Sequence, residues 1–329
     1  MTSLILDMIA SPFLAIGLAI ALDMVMGEPR FLWSRLPHPV VLFGKAISAI
    51  EKRANTKAIS GKMRRVYGII AIIFWVLLAL AAGYGISFIL GLLPPLTGFV
   101  IEIVLVAILL AGRSLYDHIA AVMYPLATGD LERARFAVSM IVGRDTSALS
   151  ENEIARAAIE TGAENLSDGV IAPAIWYLIG GLPLMLAYKM INTADSMVGY
   201  KSSRYYAFGW GAAMTDDVAN FLPARLTAYL IIIIAFFHGT AQKAHAIVRK
   251  DADSHASPNA GYPEAAMAGA LEIRLGGARS YRGALLDLPA MNAAGKDNID
   301  ATDIERALHM LWRALGAASL IFILIAFYS

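Results

Sequence analysis

The chain has 329 residues, a mean hydropathy of +0.62 and only 16% charged residues. Soluble domains carry about 25% charged residues, so this composition argues against a soluble enzyme and predicts a polytopic membrane protein. The net charge of +1 gives no basic surface for nucleic acid, and the lack of cysteine excludes disulfides, thiolate metal sites and a cysteine nucleophile.

The first third of the chain predicts three membrane spans. A span needs roughly 20 mostly apolar residues, and the candidates run from about 4 to 25, 66 to 90 and 96 to 110. The first has no basic leading segment or cleavage site, so we expect it to be retained. The connector that follows it is rich in turns, and its stretch from 45 to 65 carries seven basic residues. The positive-inside rule places that connector in the cytoplasm and the N-terminus outside.

The segment from about 113 to 169 predicts amphipathic helices outside the membrane. Asp130 can cap one helix, and Ser150 with Glu153 fits a capping box for the next. This second helix has one apolar stripe and carries Glu160 and Glu164 four residues apart, on one face. We expect residues 165 to 169 to break it.

The rest of the chain alternates apolar and polar segments. The run 170–188 is interrupted at Gly180-Gly181-Leu182-Pro183, so it is either one broken span or a re-entrant hairpin. These alternatives place 189–221 on opposite sides of the membrane, and they are reconciled if 189–221 lines a buried cavity open to the cytoplasm. Further spans are predicted at about 222–237 and 314–328, separated by a polar segment, 239–313.

The predicted fold is therefore an all-α, polytopic membrane protein. We expect about five to eight membrane helices, some of them broken or re-entrant, together with amphipathic cytoplasmic helices. Residues 1–329 form a single integral membrane domain, with cytoplasmic helical portions at about 27–65, 113–169 and 239–313.

Polar residues between the apolar runs are the candidates for function, since an unpaired charge at the bilayer centre commonly costs a few kcal/mol. Glu164 and Asp168 could hold a divalent cation, although they could also be a solvated helix end. Lys189, Asn192 and Asp195 recur at helical spacing and share a face. The plainer explanation for them is a Lys–Asp pair that stabilises a buried helix.

Lys201 and Arg204 suit phosphate oxygens, as a point charge and a planar fork, or they are ordinary interfacial cations. Asp216-Asp217-x-x-Asn220 resembles the aspartate-rich pattern that binds a metal–diphosphate. Adjacent carboxylates point to different helix faces, so we expect one to bind metal and the other to pair with a cation such as Arg225. The neighbouring aromatic residues could form a wall for a large flat substrate or belong to an interfacial belt: Tyr200, Tyr205, Tyr206, Phe208 and Trp210.

Two histidines lie in turn-rich loops without visible metal partners. His38 and His255 are expected to have polar or loop-shaping roles. The segment from Ser257 to Glu264, which includes Asn259, is either a binding loop or a plain connector. The chain has no P-loop, no dinucleotide-binding GxGxxG after a strand, no GxSxG and no HExxH, so any nucleotide site is of a non-standard kind.

Several of these segments together resemble the CobD/CbiB family of cobalamin biosynthesis, over essentially the whole chain. Two mild departures are Glu28, where the family usually has Asp, and Leu166, where it often has Thr. The segments that carry the resemblance are Leu22-Asp23 with Gly27-Glu28-Pro29, Pro37-His38-Pro39-Val40, Ile141 to Thr146, Ala163-Glu164-Asn165-x-Ser167-Asp168-Gly169, Asn192-Thr193-x-Asp195-Ser196 through Lys201, Phe208-Gly209-Trp210, Asp216-Asp217-x-x-Asn220-x-x-Pro223-Ala224-Arg225, and Ser257 to Glu264.

The resemblance implies an ATP-dependent amide ligase, an adenosylcobinamide-phosphate synthase. Such an enzyme joins the propionate carboxylate of adenosylcobyric acid to (R)-1-amino-2-propanol O-phosphate or to aminopropanol. It implies ATP and Mg²⁺ as cofactors, a corrinoid as substrate, and an active site of the cytoplasmic membrane that opens to the cytoplasm. The lipid bilayer, other late cobalamin-assembly enzymes and an oligomer are conceivable partners, and nucleic acid is not expected.

With this resemblance, the candidate residues take roles. The catalytic candidates are Glu164, Asp168, Asp195 and Asp217, and the metal candidates are Asp168, Asp216 and Asp217. The substrate- and phosphate-binding candidates are Lys189, Asn192, Lys201, Arg204, Asn220, Arg225, His38, Asn259 and Glu264. The alternative is a corrinoid-binding or transporting membrane protein without catalysis, since broken apolar segments with polar residues are also typical of transporters.

Overall fold

The computed structural model describes residues 11–27, 33–277, 279–281, 284–286 and 289–328. Helices carry most of these residues, as the all-α prediction requires, and short strands occur between 275 and 291. Glu28 and Pro29, which figured in the sequence analysis, lie outside the described residues, as does the start of the first predicted span.

The helices of the first half alternate long apolar segments with shorter amphipathic ones. In chain order they are α1 (Pro12–Met26), α2 (Pro39–Ala54), α3 (Gly61–Gly91), α4 (Pro95–Leu109), α5 (Gly112–Ala127), α6 (Leu131–Ser139) and α7 (Glu151–Leu166).

The second half begins with a π-helical turn, Ser167–Ile171, that leads directly into α8 (Ala172–Val198). It continues with α9 (Trp210–Ala219), α10 (Phe221–Phe236), α11 (Ala241–Asp251), α12 (Gly261–Leu271) and α13 (Ala301–Tyr328). Between α12 and α13 lie two antiparallel two-stranded pairs that the sequence analysis did not predict: β1 (Leu275–Gly276) with β4 (Ala290–Met291), and β2 (Arg279–Tyr281) with β3 (Ala284–Leu286).

Among the described residues, four helical stretches are long and apolar enough to cross a membrane, and a fifth is counted if α9 and α10 form one bent span. These four are Gly61–Gly91, Pro95–Ala127, Glu151–Val198 and Ala301–Tyr328. The described residues thus reach the lower end of the five to eight expected. The protein is an all-α polytopic membrane protein.

The chain divides into two compact units, and it passes between them four times. The first unit takes residues from Met1–Leu110, Ala172–Asn220 and Ser319–Ser329, and the second from Ala111–Ile171 and Phe221–Ala318. In the first unit, α8 packs against α2, α3 and α9, while α1 packs against α4. In the second, α12 packs against α7, α10 and α11.

The predicted helix caps are confirmed. The Asp130 carboxylate accepts a hydrogen bond from the backbone N–H of Arg133 at 3.1 Å. The Ser150 hydroxyl accepts from the Glu153 N–H at 3.4 Å, and the Glu153 carboxylate accepts from the Ser150 N–H at 2.8 Å. These short-range contacts satisfy backbone donors that have no partner inside the helix.

The prediction that residues 165–169 break the helix is wrong. The chain stays helical through this segment but widens into the π-helical turn. The backbone of Ala111 approaches this turn closely at Gly169, which has no side chain in the way. The Gly169 carbonyl accepts a hydrogen bond from the Ala111 N–H at 3.1 Å. Helix α7 is also buried on more than the one apolar stripe expected, with Ala155, Gly162 and Ala163 all enclosed.

The predicted interruption of α8 is confirmed at its two glycines. Gly180 and Gly181 leave helical geometry, and Gly181 has a φ of 64°, which favours glycine. Helix α3 packs closely against this kink, since a Cβ added at Gly83 would lie 2.4 Å from the Cα of Pro183. The kink separates the first part of α8 from the part that carries the polar residues.

Candidate functional site

Asp216 is the centre of a buried hydrogen-bonded group in the first unit. Its carboxylate accepts from the side-chain amide of Asn192 on α8 at 3.3 Å and from that of Asn220 at 2.9 Å. The side-chain oxygen of Asn220, Oδ1, accepts in turn a hydrogen bond from the hydroxyl of Tyr188 at 2.8 Å. Asp216 is 9% exposed and Asn220 is 1% exposed. Two amide donors and a hydroxyl therefore hold one carboxylate in a fixed orientation inside apolar helices.

Two lysines accompany this carboxylate group. Lys189, one turn before Asn192 on α8, is buried, and burial of a lysine is costly unless the charge is compensated. Lys201 lies close enough to Asp217 to attract its charge, whereas Asp217 repels the charge of Asp216. Asp216 and Asp217 therefore differ in their surroundings, and the cation that attracts Asp217 is Lys201. The expectation that one aspartate binds metal and the other pairs with a cation such as Arg225 stays a prediction.

Asp195 lies at the end of α8, folded over Gly199. A Cβ added at Gly199 would lie 1.8 Å from Asp195 Oδ1, so only glycine leaves room for this carboxylate. The Gly199 N–H also donates to the Asp195 carbonyl oxygen at 2.7 Å. Partial burial raises the pKa of the Tyr200 phenol, and the charge of Asp195 raises it further. Asp195 therefore lies near enough to act on Tyr200 at the start of the segment 199–209.

Arg204 anchors that segment to α2. Its guanidinium donates to Glu51 Oε1 from Nε at 3.1 Å and from Nη2 at 3.0 Å, and to Oε2 at 3.1 Å. Asn55 reinforces the contact by donating to both the Glu51 carboxylate and the Arg204 carbonyl. Arg204 was predicted to bind phosphate, and the structure engages it with a buried carboxylate. Of the predicted aromatic wall, Tyr200, Tyr206 and Trp210 are exposed and Phe208 is buried.

Glu164 and Asp168 belong to the second unit, at the junction of α7 and the π-helical turn. Such turns inside α-helices occur frequently at functional sites, because they re-aim side chains. The Asn165 side-chain amide donates to the Thr161 backbone carbonyl at 3.0 Å. Ser167, which lies between Glu164 and Asp168 in sequence, is buried. Glu160, one turn earlier, has a structural role: it accepts from the Gly276 N–H at 2.7 Å and pairs with Arg144 at 3.5 Å.

Arg225, Asn259 and Glu264 form a second polar group within the second unit. The guanidinium of Arg225 lies 4.0 Å from the ring centroid of Tyr262 and donates to the side-chain oxygen of Asn259 at 3.5 Å. Asn259 is 6% exposed and Glu264 2% exposed. Glu264 lies 3.7 Å from His255 Nε2. The segment 257–264 is therefore ordered: it turns at 257–260 and continues into the first turn of α12, with Asn259 and Glu264 buried.

His38 caps a helix, as a loop-shaping role predicts. Its Nδ1 accepts from the Val40 N–H at 3.3 Å at the start of α2, and its ring meets Trp33 edge-on at 4.6 Å. This contact gives His38 a local structural role, and its predicted role in substrate binding stays a prediction.

Two acidic residues of the first unit escaped the sequence analysis. Glu51 is the one acidic residue among the basic residues from 39 to 65, and that contrast was a usable signal. Glu102, a lone acidic residue in the predicted third span, accepts from the Tyr177 hydroxyl at 2.9 Å. A carboxylate at this depth is expected to have a partner, but the sequence does not say which.

The structure distributes the predicted carboxylates over both units. Asp195, Asp216 and Asp217 belong to the first, and Glu164 and Asp168 to the second. The prediction that they share one cavity stays a prediction. No group of three or more His, Asp or Glu side chains within the described ranges is arranged to hold a metal ion. Asp216 and Asp217 with the neighbouring amides still offer the oxygen ligands that Mg²⁺ takes, since it usually needs one or two carboxylates.

Comparisons with known proteins agree with these features. The family model described as CobD/Cbib protein matches residues 16–311. The chain is 46% identical to a "Cobalamin biosynthesis protein CobD" of Sinorhizobium sp over 306 residues, covering 92% of this chain and 94% of that protein. It is 46% identical to a protein of the same name from Brucella anthropi, over 94% of this chain and 98% of that one. A third, from Rhodobacter capsulatus, is 43% identical over 94% and 95% of the two chains.

No solved structure matches the chain. The family model covers most of the sequence, and each of these three relatives matches it nearly end to end, so the whole chain is accounted for by one family. The protein belongs to the CobD/CbiB family of cobalamin biosynthesis proteins.

Proposed function

We propose that the protein is an ATP-dependent amide ligase that makes adenosylcobinamide phosphate. It would join the propionate carboxylate of adenosylcobyric acid to (R)-1-amino-2-propanol O-phosphate, or to aminopropanol. Besides the family, the observation that carries this proposal is the buried group of Asp216, Asn192 and Asn220 beside Lys189. Membrane helices rarely keep such a group without a task.

The chemistry requires activation of the carboxylate, because an amine does not displace oxygen from a carboxylate directly. A carboxylate oxygen attacks the γ-phosphorus of ATP, and ADP leaves. The amine nitrogen then attacks the resulting acyl carbon, phosphate leaves with the original carboxylate oxygen, and the nitrogen loses a proton to a base. Catalysis of the first step depends on positioning and on cations that offset the phosphate charge.

The first unit offers residues for the phosphate side of this reaction. Lys189 and Lys201 would bind phosphate oxygens as point charges. One of the two aspartates, Asp216 or Asp217, would hold Mg²⁺, whose chemistry is to neutralise charge on the transferring phosphoryl group. Their oxygen donors fit that ion, and phosphate oxygens would complete its coordination.

The second unit, taken by itself, has residues suited to the amine substrate. Glu164 and Asp168 would attract an ammonium group, and either carboxylate is a suitable proton acceptor. Arg225, already directed at Asn259, would bind the phosphate of aminopropanol phosphate through its planar fork. The exposed aromatic rings of Tyr200, Tyr206 and Trp210 would cover the corrin face. We place the active site on the cytoplasmic side, where ATP is available.

The test is product formation by the purified protein in detergent or nanodiscs. Adenosylcobyric acid, aminopropanol phosphate, ATP and Mg²⁺ are supplied together, then each is omitted in turn, and corrinoid products are identified by mass. We expect amide product only in the complete mixture, with one ADP per amide. Aminopropanol replaces its phosphate in a parallel reaction, which identifies the preferred amine.

The same experiment separates the alternative, a corrinoid-binding or transporting protein without catalysis. Such a protein would retain labelled adenosylcobyric acid on gel filtration but would form no product and consume no ATP. That result, obtained with protein shown to be folded by a cooperative thermal transition, would overturn the ligase proposal.

A further inference from the structure

Helix α2 and the start of α3 carry a strong excess of positive charge that the proposed ligase reaction does not use. From 39 to 65 the chain has seven Lys and Arg residues and a single acidic residue, Glu51. Glu51 is already engaged by Arg204. Arg64 donates to Asn55 and Arg65 lies over the ring of Trp210, so the lysines of α2 are the candidates for binding an anionic partner.

Part of this charge lines a groove. One face of α2 and Met197, near the end of α8, line a shallow, open groove of about 530 Å³, and the lining from α2 includes Lys45, Ser48 and Lys52. Lys45, Ser48 and Lys52 recur at spacings of three and four, so the two ammonium groups and the hydroxyl lie along one helix face. They are suitable donors for phosphate oxygens, and Met197 adds an apolar wall.

The helix that carries the groove packs against α3, one of the described helices that are long and apolar enough to cross a membrane. Helix α2 packs against the first turns of α3, where Ile50 and Ala54 share an apolar pocket with Tyr67 and Ile70. The exposed apolar surface of α3 begins at Met63, directly beside its basic first turn. Val41, at the end of the groove, is 50% exposed. Basic groups therefore stand next to a lipid-facing surface, which is the arrangement that attracts acidic lipids.

We propose that this groove is a binding site for an anionic phospholipid, with the headgroup phosphate between Lys45 and Lys52 and the acyl chains along the neighbouring apolar surface. The occupant is a lipid rather than a soluble phosphate because the two lysines are combined with exposed apolar residues and with a membrane span. The bound lipid would fix α2 against α8, and so support the segment that Arg204 ties to Glu51.

The experiment uses the full-length protein in a zwitterionic detergent. Short-chain phosphatidylglycerol is titrated and the midpoint of thermal unfolding is followed, with phosphatidylcholine, inorganic phosphate and ATP as separate arms. Among these four, we expect only the midpoint shift from phosphatidylglycerol to depend on the groove lysines, since ATP also binds at the proposed active site. The double variant Lys45→Ala, Lys52→Ala should weaken lipid binding about tenfold or more, since each basic residue near the surface adds measurably to lipid attraction.

Two further variants keep the test specific. Arg53→Ala, Lys57→Ala removes the same charge outside the groove lining and should retain near wild-type lipid binding. Ser48→Phe keeps both lysines but fills the groove, and it should bind as weakly as the lysine variant. Equal weakening by both double variants would mean diffuse charge attraction and would overturn the proposal. A midpoint shift from inorganic phosphate or ATP that the Lys45, Lys52 variant abolishes would assign the groove to a soluble phosphate instead.

Discussion

Arg204 holds the carboxylate of Glu51 with three hydrogen bonds of 3.0 to 3.1 Å, although the two residues are 153 positions apart in sequence. Glu51 is 5% exposed, whereas the Arg204 side chain is largely exposed. The pair therefore attaches the segment 199–209 to α2 and closes the loop between the two polar helices, α8 and α9.

Loss of this pair should loosen the segment 199–209. In Glu51→Gln the amide cannot reproduce the charge-assisted, two-pronged contact with the guanidinium. We expect faster cleavage within 199–209 by a protease of broad specificity, with a smaller change elsewhere in the chain. The matched control is Glu132→Gln on α6, an acidic residue in the first turn of another helix. Equal cleavage rates in wild type and Glu51→Gln would show that the pair does not order this segment.

Loss of the buried Asp216 carboxylate should lower the ligase rate more than loss of the Tyr188 hydroxyl, which supports it through Asn220. Asp216→Asn keeps the size of the side chain but sets its amide against the amide donors of Asn192 and Asn220. We expect a loss of ligase rate of roughly 10- to 100-fold, with a raised requirement for Mg²⁺. Tyr188→Phe removes one hydrogen bond to Asn220 and should cost less than about tenfold. Equal rates for Asp216→Asn and wild type would remove Asp216 from the site.

Gly199 should be required for the position of Asp195. The added methyl group in Gly199→Ala would collide with Asp195 Oδ1, so the carboxylate must move. A displacement of about 1 Å at a reacting group can cost about 100-fold in rate, and we expect a loss of that order if Asp195 takes part. Gly85→Ala on α3 is the control, since no heavy atom lies within 4 Å of the added group. A fully active Gly199→Ala enzyme would argue that Asp195 is not catalytic.

The pKa of the Tyr200 phenol depends on how near the charge of Asp195 lies. Burial and the charge of Asp195 raise the pKa of this phenol above the ordinary value of 10.0. The neutral phenol therefore stabilises the fold fully below pH 10, and this contribution is lost as the pH rises through the raised pKa. The difference in stability between wild type and Tyr200→Phe should shrink above pH 10. In Asp195→Asn the ultraviolet titration of Tyr200 should move to lower pH; an unchanged titration would mean that the two side chains are apart.

Local sequence signals predicted the local structure of this protein well. The caps at Asp130 and Ser150 involve residues three apart, and the break at Gly180 and Gly181 follows from glycine geometry, so both could be inferred from sequence. The π-helical turn could not, because residues 165–169 contain the polar and glycine residues that usually end a helix. Only the surrounding packing, including the Ala111 contact to Gly169, keeps the segment helical.

The site was predicted in its residue types but not in its pairings. The helical spacing of Lys189, Asn192 and Asp195 indicated one polar face of α8. That Asn192 binds Asp216 depends on how α8 packs against α9, which helical periodicity does not contain. Family resemblance supplied the reaction, since composition and spacing alone predict only a membrane protein with a polar site for phosphate groups.

The central claim is that ATP activates the corrinoid carboxylate, and an oxygen label tests it most directly. Adenosylcobyric acid carrying ¹⁸O in its free propionate carboxylate is converted with ATP, Mg²⁺ and aminopropanol phosphate. The account predicts that one ¹⁸O from each carboxylate appears in inorganic phosphate, while the other remains in the amide carbonyl. Inorganic phosphate without label, or label found in AMP, would contradict activation by transfer of the γ-phosphoryl group.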